Sequence, residues 1–131
     1  MKHLKHSQIA QLDRQLEMQA AGLREEIRLE LLQSDEEHHR DLAGMVADAA
    51  DDSVANLVAD LDAAFLDRHV RELREIEAAR GRLKAGTYGV CVDCRDGIAW
   101  ERLRANPVST RCARCAPQYE KTHGHEGTPT L

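Results

Sequence analysis

A chain of 131 residues with 31% charged side chains, 3% aromatic side chains and a formal charge of −5 lacks the makings of a thick globular core, which ordinarily buries much more aromatic area. Ala, Leu, Glu and Arg dominate residues 8–85, as in long helices, and no run approaches the about 18 consecutive apolar residues of a membrane span. The charge is uneven: seven acids (Asp41, Asp48, Asp51, Asp52, Asp60, Asp62 and Asp67) and no Lys or Arg occupy the window from Asp41 to Asp67.

The first residues, Met-Lys-His-Leu-Lys-His, offer neither an apolar run nor a small-residue cleavage site, which predicts a cytoplasmic protein. Ile9, Leu12, Leu16, Leu23, Ile27, Leu31, Leu42 and Met45 recur at helical spacing and predict a helix over 8–46. The polar Ser34–Arg40 stretch weakens that stripe. Leu57, Leu61, Phe65, Leu66, Val70, Leu73, Ile76 and Leu83 predict a second helix over 53–85. Asp51, Asp52 or Ser53 can cap its start. Gly86 suits its C-terminal cap, and Lys84 suits the negative end of its dipole.

Val46–Ser53 is then a short joint. Two helices of similar length so joined run antiparallel, and the apolar seam is that of a coiled-coil hairpin. At 1.5 Å per residue the rod over 1–86 is roughly 50–55 Å long. This arrangement puts the acids near 47–53 at the distal end and the C-terminal module at the other.

That module, 87–121, holds all four cysteines, as Cys91-x-x-Cys94 and Cys112-x-x-Cys115 with 17 residues between the pairs. The spacing fits one structural zinc ion held by four thiolates, with no position left open for water or substrate. Disulfides would need an oxidising compartment, and a redox pair needs only one C-x-x-C beside a βαβ pattern. Gly97 allows a tight knuckle, and Ile98, Trp100, Leu103 and Val108 supply the apolar filling. A short helix begins in Cys112–Lys121. The Gly-, Pro- and Thr-rich tail 122–131 reads as disordered.

Other constellations are weaker. Asp48 and Asp51, three apart, share a helical face, which suits either helix capping or a partner contact. The finger's Arg residues are balanced by acids and by the thiolates, so sequence-specific DNA binding is not expected. His38 and His39, adjacent on a helix, are not expected to face one ligand together. His123 and His125 lie in the tail. No catalytic constellation or phosphate-cradling loop is present, so no enzyme is expected.

Several segments together resemble the DksA/TraR family of bacterial transcription regulators: Tyr88-Gly-Val-Cys91-Val-Asp-Cys94, Ile98, Arg102-Leu-Arg-Ala-Asn-Pro107 and Arg111-Cys112-Ala-Arg-Cys115. Counted back without gaps from Cys91, the family's tip motif D-x-x-D-x-A falls on Asp48-Ala-Ala-Asp51-Asp-Ser53. The resemblance covers roughly residues 8–121. It implies a protein that binds RNA polymerase by inserting its coiled-coil hairpin into the secondary channel and alters promoter-complex stability. Asp48 and Asp51 would be the tip effectors, and Ser53 would support the tip where the family has Ala. The family's basic residues for guanosine tetraphosphate correspond here to Glu75, Asn106 and Ala116, so nucleotide synergy is expected to be weak or absent. The alternative is a zinc-stabilised coiled-coil adaptor for another protein, with a passive tip.

Overall fold

The computed structural model describes residues 1–50, 53–59 and 63–123. Six α-helices occupy them: α1 His6–Leu32, α2 Glu37–Asp48, α3 Val54–Ala59, α4 Asp67–Ala85, α5 Trp100–Ala105 and α6 Cys115–His123. A 3₁₀ turn, Ala64–Leu66, leads into α4.

The two long helices build the rod. At α1's start the Gln8 side chain accepts from the Lys5 backbone N–H at 2.9 Å, one half of a capping box. Leu12, Leu16, Ala20, Ile27 and Leu31 form its buried stripe. On α4 the stripe is Leu73, Ile76 and Ala79, flanked by half-buried Val70 and Leu83.

The helices pack antiparallel. Near one end His69 of α4 meets Glu26 and Glu30 of α1, at 3.1 and 3.4 Å. Near the other, Arg80 and Leu83 share a groove with His6, Ile9 and Asp13. α4 stops where expected. Gly86 takes φ 78°, its N–H reaches Leu83 O at 3.3 Å, and Thr87 N–H reaches Arg82 O at 3.0 Å. This pair of bonds is a Schellman motif, which needs a residue tolerant of the left-handed region.

The helix extents correct the sequence reading. The first helix ends at Leu32 rather than near residue 46, and the second is broken between α3 and α4. Ser34 makes the first break: its hydroxyl accepts from Glu36 N–H at 3.2 Å, and its carbonyl accepts from Arg40 Nη1 at 2.8 Å. A Ser side chain that satisfies the backbone two residues on competes with helix continuation.

α2 then packs on α1, and α3 packs on α4 and α2. With so short a link α2 must run back along α1. The far end of the rod is therefore the 33–36 turn beside Phe65, which share one hollow. Asp48, at the end of the 12-residue α2, sits ~18 Å back along the rod at 1.5 Å per residue. Asp51 and Asp52 fall outside the described residues.

Burial explains the fold-back. Val46, Val54 and Val58 are at most 5% exposed, each worth roughly 1.5–3 kcal/mol when removed from water. An extended two-helix hairpin, with its single narrow seam, would leave much of that surface wet. Leu61 and residues 124–131 also lie outside the described residues, and α6 continues to His123, through the first two residues of the expected tail.

Candidate metal centre

Tyr88–Val90 and Gly97–Ile98 set up the first cysteine pair. Ile98 N–H donates to Gly89 O at 2.7 Å and Cys91 N–H to Asp96 O at 2.8 Å, with a single antiparallel bridge between Val90 and Gly97. The knuckle closes with Arg95 N–H on Cys91 O at 3.0 Å. Arg95 itself adopts φ 70°, so the left-handed position of the turn is Arg95 and not Gly97. Gly97 serves close approach instead: a Cβ there would stand 2.8 Å from the His3 ring.

The second pair is held by buried Tyr88, whose hydroxyl donates to Pro107 O at 2.7 Å. Val92 N–H to Thr110 O at 2.9 Å adds a backbone tie between the two halves. Ile98 and Leu103 are fully buried, while Trp100 and Val108 are partly so. His3, Leu4, Tyr88 and Pro107 complete this small core and were not foreseen. Their signal is only tertiary, because His3 and Leu4 arrive from the opposite end of the chain.

The four Sγ atoms of Cys91, Cys94, Cys112 and Cys115 all lie within 4.8 Å of one another, with Cys94 and Cys112 3.8 Å apart. A tetrahedron with Zn–S bonds of about 2.3 Å has edges of about 3.8 Å, so the donor set fits one zinc ion. Thiol acidity points the same way. Burial pushes Cys91 up, but backbone groups of Cys94, Cys112 and Asp93 outweigh it and bring the thiol down to about 6. Contact with Cys112, then burial, pushes Cys115 up to about 12. Four adjacent thiols do not all ionise without a cation among them.

Two Asp–Arg pairs clamp the knuckles to each other. Arg111 Nε meets Asp93 at 2.8 Å, and Arg114 meets Asp96 at 2.9 Å. Arg114 also donates to Cys94 Sγ at 3.5 Å, hydrogen bonding that holds a metal thiolate in place. The Arg111 guanidinium stacks 3.6 Å above the Tyr119 ring, which brings α6 against the site. The equal spacing of Asp93/Asp96 and Arg111/Arg114 was a readable signal.

The finger is docked on the rod's base. His3 Nε2 lies 2.8 Å from Ile98 O, and Gln15 Nε2 donates to Arg104 O at 3.1 Å. Asp48 and Ser53, by contrast, are exposed on the α2–α3 side of the rod, and the structure does not bring them to the thiolates. Nor does it keep His38 and His39 apart. Their Nε2 atoms both lie 3.2 Å from Glu36 Oε2, because Glu36 precedes the first turn of α2 and reaches back to both rings.

Fold and site together define a class: an antiparallel helical hairpin carrying a structural four-cysteine zinc finger at its base. Residues 86–121, about a quarter of the chain, match the family described as prokaryotic dksA/traR C4-type zinc finger. Among curated proteins it is 40% identical over 55 residues to an uncharacterized protein of Aquifex aeolicus, covering 42% of this chain and 38% of that one. It is 29% identical over 90 residues to an RNA polymerase-binding transcription factor DksA of Caulobacter vibrioides, covering 69% and 58%. The matches thus span between 38% and 58% of those relatives' own length. The solved structure of transcription factor DksA2 from Pseudomonas aeruginosa superposes with a TM-score of 0.61 at 24% identity, covering 92% of this chain and 89% of that one. That likeness supports the fold. Among the described residues no helix is long and apolar enough to cross a membrane.

Proposed function

We propose that this protein is a cytoplasmic transcription regulator that binds RNA polymerase, inserts its helical hairpin into the secondary channel and shifts the stability of promoter complexes. The observation that carries this reading is the DksA/TraR-type finger docked at the base of a helical hairpin. The finger's metal is structural, since four thiolates leave no open coordination position.

Asp48, Asp51 and Ser53 are the proposed contacts at the polymerase. In support, Asp48 is exposed at the C-terminal end of α2, where the helix dipole disfavours a carboxylate, so it does not serve that helix. Asp48 rides on the flank of the hairpin, at the end of α2. That flank position is also what favours the second reading, a zinc-stabilised adaptor with passive acids.

An in vitro transcription assay separates the two. With Asp48→Asn/Asp51→Asn the regulator reading expects polymerase binding within about threefold of wild type and loss of the effect on open-complex lifetime. Regulation equal to wild type by the double variant would leave the adaptor standing. In the same assay guanosine tetraphosphate should add little, because Glu75 and Asn106 line one groove with Glu26 and Glu72, and carboxylates repel a polyanion.

A further inference from the structure

We propose a second metal site in this protein, formed by Glu36, His38 and His39 at the joint between α1 and α2, for a divalent first-row ion of the zinc class. It is distinct from the cysteine cluster and independent of the polymerase reading. Glu36 Oε2 stands 3.2 Å from His38 Nε2 and 3.2 Å from His39 Nε2. All three donor atoms fall within 4.8 Å of one another. The edge of a tetrahedron with metal–nitrogen and metal–oxygen bonds of about 2.0–2.1 Å is about 3.3 Å. The two separations from Glu36 already match that edge, and the third pair lies within 4.8 Å.

The surroundings prepare His39 in particular. It is 5% exposed, with its ring edge against Phe65 at 6.0 Å, and its Nδ1 lies 2.7 Å from Ser34 Oγ. With the proton on Nδ1 donated to that hydroxyl, Nε2 turns its lone pair toward Glu36 and His38. A hydrogen bond to the non-ligating ring nitrogen fixes the tautomer and orientation of metal-binding histidines in just this manner. Without a cation the same tautomer would set that lone pair against a carboxylate oxygen.

Two imidazoles and one carboxylate leave a fourth position for water and select zinc, cobalt, nickel or copper over magnesium or calcium. The α2 N-terminus opposes a cation, a handicap of about 5- to 30-fold, which the charge of Glu36 offsets. A bound ion would tie the first turn of α2 to the residue that precedes it and so fasten the hinge of the fold-back arm.

The test uses the full chain with its finger zinc-loaded and surplus metal removed, titrated with Zn²⁺ and then with Co²⁺. The expected result is a second equivalent per chain, whose cobalt spectrum lacks the sulfur-to-metal charge transfer of the thiolate site. His38→Ala and Glu36→Gln, both at exposed positions, should each weaken it at least tenfold, and Ser34→Ala by about 10- to 100-fold. His123→Ala/His125→Ala should leave it unchanged. Uptake of one equivalent only, survival of the second in both His38→Ala and Glu36→Gln, or its loss with the tail pair would each overturn the site.

Discussion

Tyr88 lies outside both cysteine pairs, yet its side chain joins them. The phenol is fully buried and bonded to Pro107 O. Burial, opposed only partly by nearby Arg82, pushes its pKa up to about 12. The folded state therefore favours the protonated form. Its contribution is complete below pH 10, shrinks as pH rises from 10 to 12, and is lost above that. Two pKa units correspond to about 2–3 kcal/mol. Urea unfolding between pH 9 and 12 should reveal an alkaline loss of that order in wild type. Tyr88→Phe has no proton to release and should give a flatter limb, while starting about 1–2 kcal/mol lower at pH 7. Equal slopes for the two proteins would remove Tyr88 from the account. The four cysteines were legible because coordination chemistry restricts their spacing. Tyr88 stood in plain view before Cys91, but its partner Pro107 is 19 residues away, and no local rule connects them.

At the scale of elements, the sequence pattern found the helical stripes and misjudged where they stop. Periodicity reports which face is apolar, but it does not report what covers that face. Ser34 ended α1 through a side-chain hydrogen bond to Glu36 N–H, and the same hydroxyl meets His39 of α2 at 2.7 Å. Gly86, whose left-handed cap is a local demand of the backbone, was read correctly. Ile27 tests the fold-back. It is fully buried on the α1 turn between Glu26 and Glu30, which grip His69 of α4. Leu29 and Leu32 beside it stay 43% and 42% exposed. If α2 and α4 together enclose this stretch, Ile27→Ala should cost about 2–5 kcal/mol, and Leu29→Ala below 1. Similar small losses at both positions in chemical denaturation would mean that α2 does not stay folded against the rod in solution.

On the scale of the molecule, one contiguous set of buried side chains runs from the rod into the finger, but the finger's own share of it is small. A structural zinc contributes about 10–16 kcal/mol to such a module at neutral pH, more than its handful of buried side chains can. The rod has its own stripe of Leu and Ile. Chelation should therefore shift the emission of Trp100, the only tryptophan, toward that of an exposed indole while most far-ultraviolet helical signal persists. Loss of the full helical signal together with zinc would show that the two parts fold as one unit.

The amino-acid sequence by itself determined the zinc ligands, the helical class, the antiparallel pairing of the two long stripes and the cap at Gly86, since each follows from ligand spacing or from backbone geometry within a few residues. Only the tertiary structure decided that α2 and α3 fold back along the rod, that Asp48 lies on its flank, and that Glu36 gathers His38 and His39. Those outcomes depend on which buried surfaces compete for the same cover, a balance struck between segments far apart in the chain.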